Sequence, residues 1–165
     1  MTNKIILGID PGSRITGFGV IELIGKQPNY IAAGTINCSQ EDISTRLFYI
    51  HDQINQLIER FQPQEFAIEQ IFTFVNHQSA LKLGQARGAA LASAGKFALP
   101  VSEYSARQVK LAVVGYGAAT KQQVQLMIKS LLKLSKYPAT DAADALAIAI
   151  CHAHTNQWQE RVAAV

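Results

Sequence analysis

IILGID (5–10), followed by PGSR and then ITGFGVIELI (15–24), is the stretch on which the fold turns. An apolar run that ends in an acid and meets Pro11-Gly12 reads as a buried strand delivering Asp10 to a turn. ITGFGVIELI and NYIAAGTIN (29–37) are β-rich and separated by Gly25 and Pro28, as in an antiparallel meander. From 43 onward the period changes: Ile43, Leu47, Ile50, Ile54, Leu57, Ile58 and Phe61 recur at helical spacing until Pro63 closes the helix. EFAIE (65–69) is a second short strand that ends, like the first, in an acid. Residues 77–98 read as a long helix poor in bulky side chains, with Gly84, Gly88 and Gly95 near one stripe. Each helical Gly costs ~1 kcal/mol against Ala, so the stripe implies close approach of another backbone, across this sheet or across a dimer interface. Residues 100–104 read as a strand, SARQVKLAVVG as a short helix, and 120–134 as a helix with Val124, Ile128, Leu131 and Leu132 on its apolar side. The final helix starts at Thr140, an N-cap residue type, and runs through DAADALAIAICHA before periodicity fades past His154. The order β-β-β-α-β-α-β-α-α-α predicts a mixed sheet with helices on its faces. One α/β domain over 1–156, with 157–165 as a flexible tail, is expected.

With 165 residues and 48% hydrophobic content, the chain is large enough for one self-sufficient core and unlike a disordered or fibrous protein. No apolar run approaches the ~18–20 residues of a membrane span, and MTNKIILGIDPG lacks the features of a signal peptide. Cys38 and Cys151 are far apart with no C-x-x-C, which suits a reduced, cytoplasmic protein. The overall charge of +3 conceals a segregation: residues 1–69 carry −3, residues 70–140 carry +8 with Glu103 as their one acid, and residues 141–165 carry −2. A basic middle suggests a polyanionic partner; solvated Lys-rich helix faces are the alternative.

Four acids occupy places awkward for mere solvation. Asp10 and Glu69 each end an apolar strand, and Asp141 and Asp144 lie i, i+3 on a helix whose Ala/Leu/Ile surface must be buried. Taken singly, Asp10 could be a turn acid and Asp141 a first-turn acid favoured by the helix dipole. Together, if both strands leave the sheet at one end and the last helix packs there, four carboxylates repel unless hard divalent cations, Mg²⁺ or Mn²⁺, are present. Two such ions ~3.5–4 Å apart serve in-line phosphoryl displacement. Gly12, Gly17 and Gly19 after Asp10 offer a second possibility, a phosphate cradle as in two-lobed actin-like ATPases, although 165 residues supply only one lobe. Phe72 and Phe74 stand in a loop beside the presumed acidic site, placed either to stack on bases or to anchor the core. Arg107, Lys110 and Lys121 flank AVVGYGAAT and are candidates for backbone phosphates, with surface solvation a real alternative for Arg107. Cys151-His152-Ala153-His154 lacks the second pair of a zinc site and reads better as a fraying helix end.

ILGIDPGSRITGFGVI, FAIEQIF, SALKLGQARG, SARQVK and DAADALAIAI together resemble the RuvC family of Holliday-junction resolvases over residues 4–154. The resemblance implies a ribonuclease H-like fold and a homodimeric endonuclease that makes paired, symmetric nicks in four-way DNA junctions, with the RuvA–RuvB branch-migration complex as partner. By the same resemblance Asp10, Glu69, Asp141 and Asp144 are catalytic and bind two Mg²⁺ per subunit, Mn²⁺ substituting. Phe72 matches the junction-side aromatic, Lys110 and Lys121 the functional lysines, and Leu83, Gly84, Arg87 and Gly88 the dimer interface. The loop after Phe72 reads TFVN, without a basic residue. Two other readings remain: a ribonuclease H-like hydrolase of RNA–DNA hybrids, and a non-catalytic junction-binding module.

Overall fold

The computed structural model describes residues 3–72 and 76–163. β1 (Lys4–Asp10), β2 (Ile15–Ile24) and β3 (Gln27–Asn37) form the expected antiparallel meander. β4 (Glu65–Glu69) and β5 (Val101–Tyr104) join on the other side of β1, each parallel to its neighbour, giving the order β3-β2-β1-β4-β5. The helices are α1 (Ile43–Phe61), α2 (His77–Lys96), α3 (Ala106–Val114), α4 (Lys121–Leu131) and α5 (Thr140–Ala163). Local chemistry sets their ends. Asp42 and Asn76 cap α1 and α2, while Ser105 with Gln108 and Thr120 with Gln123 make reciprocal capping boxes for α3 and α4.

Strand alternation divides the core in two. Leu7, Ile9, Val20, Phe66 and Ile68 face α1 and α2, whereas Ile6, Ile21, Leu23 and Ala67 face α3, α4 and α5. The result is the mixed sheet with helices on both faces. On the α5 side the sheet has a glycine floor. A Cβ at Gly8 would run into the backbone of Ala145 and Ala149, one at Gly17 into Asp141, and one at Gly19 into Leu146. Gly8 and Gly19 are partners in the β1–β2 ladder, so α5 lies with its backbone almost on the sheet. Its alanines face a surface without side chains, and residues 145–151 are all buried, as suits a helix apolar all round.

Several expectations need correction. Gly17 and Gly19 make room for α5 and not for a ligand, so the phosphate-cradle reading loses two of its three glycines. Conversely, among the described residues nothing outside the helix's own backbone comes within 4 Å of where a Cβ would stand at Gly84, Gly88 or Gly95, which removes the sheet as the reason for that stripe. Thr140 lies inside the first turn of α5, with the Ala139 carbonyl already accepting from the Ala143 N–H. Past His154 helix α5 continues to Ala163, so residues 157–163 are helical.

Cys151 and His152 are buried mid-helix, where they were expected at a frayed end. His152 Nδ1 lies 2.7 Å from the Tyr104 hydroxyl and its Nε2 2.8 Å from Glu65, which also receives Asn156 Nδ2 at 2.9 Å and pairs with Lys4 at 3.0 Å. Burial lowers the imidazole pKa against the opposing pull of Glu65. The network ties α5 to the start of β4, the end opposite Glu69. His154 Nδ1–H donates to the Ala112 carbonyl, 3.1 Å away, and is consequently a fold contact with α3.

Candidate active site

Ile9 pairs with Ile68 across the parallel β1–β4 ladder, so the next residues, Asp10 and Glu69, leave adjacent strands at the same end. Continuing the alternation from Gly8 and Ala67 puts both carboxylates on the α5 face. Because the glycine floor lets the first turn of α5 settle over Gly17, the ladder partner of Asp10, Asp141 and Asp144 are brought to the same end. Asp10, Glu69 and Asp144 line one cavity of about 360 Å³ together with Lys110 and Lys121. Asp141 is not on the cavity wall, but its charge acts on both Asp10 and Asp144. The turn after Asp10 is fastened by Thr16, whose hydroxyl donates to the Gly12 carbonyl at 3.1 Å and accepts from the Gly12 N–H at 3.3 Å.

The electrostatics follow from this crowding. Asp10 is pushed up to about 8, first by burial, then by the hydrogen bond it shares with Glu69 and by the charges of Glu69, Asp144 and Asp141. Asp144 is raised by burial, with Lys121 and Lys110 opposing and Glu69 and Asp141 adding to the shift. Lys121 Nζ stands 3.8 Å from Asp144 Oδ2, a long pair on an exposed side chain that contributes little stability. Among the described residues no three acid, histidine or cysteine side chains form a ready-made metal cage. The acids of the cavity nevertheless offer hard carboxylate oxygens around a carboxyl whose ionisation burial and like charges oppose, and this donor set fits Mg²⁺ or Mn²⁺.

A pH dependence follows. In the unfolded chain Asp10 returns to 3.8, so between about pH 4 and 8 the folded protein holds a proton that the unfolded chain has lost. Metal-free stability should therefore fall as pH rises through that window. Asp10→Asn removes the ionisation. Calorimetry in EDTA should find its Tm several degrees above wild type at pH 8, where about 1 kcal/mol moves Tm ~2–4 °C, with the gap closing toward pH 4.

The remaining candidates separate. Phe72 is exposed three residues beyond Glu69, and Phe74 lies outside the described residues. Arg107 is not among the cavity residues; its side chain packs along Gly117, where a Cβ would meet its Cγ at 3.0 Å. The expected interface set also divides. Gly84 and Gly88 are exposed, but Leu83 lines the acidic cavity. Arg87 turns inward: its Nε–H donates to the Glu69 carbonyl at 3.1 Å and an Nη lies 2.7 Å from Glu103 Oε2. Sequence reading missed this role, and its one available signal was that Glu103 is the single acid of the basic middle and needs a partner.

Comparison with known proteins agrees with this geometry. The family model described as crossover junction endodeoxyribonuclease RuvC matches residues 6–152. The protein of that name from Shewanella sp. (strain ANA-3) is 59% identical over 93% of this chain and 88% of its own length. Its counterpart from Coxiella burnetii (strain Dugway 5J108-111) is 58% identical over 96% of this chain and 92% of its own length. Among solved structures, T. thermophilus RuvC in complex with Holliday junction substrate superposes with a TM-score of 0.89 at 34% identity, covering 94% of this chain and 96% of that one. With its ribonuclease H-like sheet and acid-lined cavity, the chain belongs to the RuvC family of crossover junction endodeoxyribonucleases.

Proposed function

We propose that this chain resolves four-way DNA junctions in recombination and repair, cutting as a homodimer through Asp10, Glu69, Asp141 and Asp144. The observation that carries the reading is the convergence of Asp10, Glu69 and Asp144 on one cavity that also holds Lys110 and Lys121. Two Mg²⁺ ions, when bound to these carboxylates, supply the charge that activates water and stabilises the departing 3′-oxygen of a phosphodiester. Asp10, whose carboxyl burial and the neighbouring acids push up to about 8, would have to ionise to hold a cation. Lys110 and Lys121 meet the negative charge of the scissile phosphate, and Lys121 is freed for this by its weak, exposed pairing with Asp144. Phe72, exposed at the exit of β4, is positioned to contact bases; Phe74 shares that role only by sequence, and Arg107 is assigned to an outlying phosphate.

Self-association is assigned to the open face of α2. Gly84 lies beside a shallow groove with His77, Ala80 and Leu81, and Leu81 is 65% exposed. Two such faces packed together supply the second backbone that the glycine stripe lacks in this chain, and a two-fold dimer suits paired nicks in a two-fold junction. Gly88→Ala should show this directly. The added Cβ meets nothing within 4 Å among the described residues and gains up to ~1 kcal/mol of helix propensity. Sedimentation should nevertheless find a weakened dimer; unchanged self-association would place the interface elsewhere. A cytoplasmic setting and work alongside RuvA–RuvB complete the proposal. Among the described residues no helix is long and apolar enough to cross a membrane.

The test is cleavage of a labelled mobile four-way junction, linear duplex and RNA–DNA hybrid, each with Mg²⁺ and with EDTA. Paired nicks confined to the junction and absent in EDTA are expected. Cutting of the hybrid alone would overturn the substrate, and junction binding without cutting under Mg²⁺ or Mn²⁺ would overturn the catalytic reading.

A further inference from the structure

We propose that Arg87 is a positioning residue for Glu69, fixing the peptide from which that carboxylate projects. The inference rests on the reading of Glu69 as a metal-binding catalytic acid. Glu69 is the last residue of β4, paired with Tyr104 at the final rung of the β4–β5 ladder. The peptide unit joining Glu69 to Gln70 is held at both polar atoms. Its carbonyl oxygen accepts from Arg87 Nε–H at 3.1 Å, and its N–H, that of Gln70, donates to the Tyr104 carbonyl at 2.8 Å. With that plane fixed, the backbone torsion at Glu69 is fixed, and so is the direction in which its Cβ leaves the strand.

Arg87 is itself held. Its side chain is only 17% exposed, and its other end meets Glu103 at 2.7 Å. Glu103 is the β5 partner of Ile68, so α2, β4 and β5 are joined where Glu69 emerges. Arg87 holds the Glu69 carbonyl by a hydrogen bond from Nε and meets Glu103 through Nη2 as an ion pair and not a hydrogen bond; the rigid guanidinium plane links the two contacts, which an ammonium could not do. The contacts also explain why a basic middle segment retains a single acid.

The test uses the full-length protein and three variants: Arg87→Ala, Arg87→Lys and Glu103→Gln. Cleavage of a mobile four-way junction at saturating Mg²⁺ is measured beside Mn²⁺ binding to the metal-free protein by calorimetry, junction affinity in EDTA, and sedimentation. Arg87→Ala should lose about 10–100-fold in kcat and weaken Mn²⁺ binding about tenfold, the range typical of groups that orient a metal ligand. Junction affinity and oligomeric state should be unchanged. Arg87→Lys should recover part of both losses, and Glu103→Gln should move both in the same direction by less. Should Arg87→Ala fail to fold, the other two carry the same comparison. Wild-type kcat and Mn²⁺ affinity in the variants would overturn the arginine's role alone, as would losses that track dimer dissociation. A wild-type protein that neither binds Mn²⁺ nor cuts the junction would instead overturn the metal-site reading beneath it.

Discussion

Asp10→Asn and Glu69→Gln are each expected to reduce junction cutting at least about a thousandfold while leaving junction binding intact, beyond the 10–100-fold typical of outer-shell substitutions. Both carboxylates leave neighbouring strands at one rung and share a hydrogen bond, so removing one charge removes a donor oxygen from the centre of the acid set. Neither substitution alters volume appreciably, and the folded state should gain at Asp10, whose ionisation burial and neighbouring acids oppose. Loss of cutting should thus accompany a protein as stable as wild type in EDTA, or more so. Quantitative cleavage with gel-shift affinity in EDTA and a melting curve distinguishes this outcome; loss of binding in step with cutting would show that the acids shape the DNA surface instead.

Gly19→Ala should be strongly damaging to the fold. Its Cβ would stand 2.6 Å from the Leu146 nitrogen and 2.8 Å from its Cα, backbone atoms of a fully buried helix that cannot swing aside. Overpacking of this kind costs about 1–3 kcal/mol and sometimes more. We expect about 3 kcal/mol here, a fall in Tm of roughly 6–12 °C for a domain of this size. Relief by lifting α5 would carry Asp141 and Asp144 away from Asp10, so residual folded protein should cut poorly even well below its Tm. Gly88→Ala, the same chemical change on an open helix face, should not destabilise the protomer. A melting series comparing the two checks the assignment of each glycine.

The sequence makes the strand and helix order legible because periods of two and of 3.6 alternate cleanly and capping residues stand at Asp42, Asn76, Ser105 and Thr120. Asp10, Glu69 and Asp144 could be picked out because each interrupts an apolar pattern. The purpose of the glycines could not be read, since a stripe on a helix and a floor on a sheet both register only as missing side chains. α5 hid its contacts for a related reason: a helix apolar on all sides has no preferred face to betray its orientation. Arg87 and His152 illustrate a third limit. Their partners are Glu69 and Glu103 for one and Tyr104 and Glu65 for the other, brought together by tertiary placement and not by local spacing. His152, next to Cys151 in sequence, read as part of a fraying helix end and is a buried strut.

The glycine floor also has a consequence for synthesis on the ribosome. The segment that fills it, α5, follows the strands and the other helices of the described residues. A nascent or prematurely released polypeptide ending before residue 141 carries Asp10 and Glu69 but neither of the acids from α5, and its uncovered β1 and β2 present bare backbone where a helix should lie. On the proposed reading of the four acids, such a chain would lack half of the set until α5 has been translated and docked.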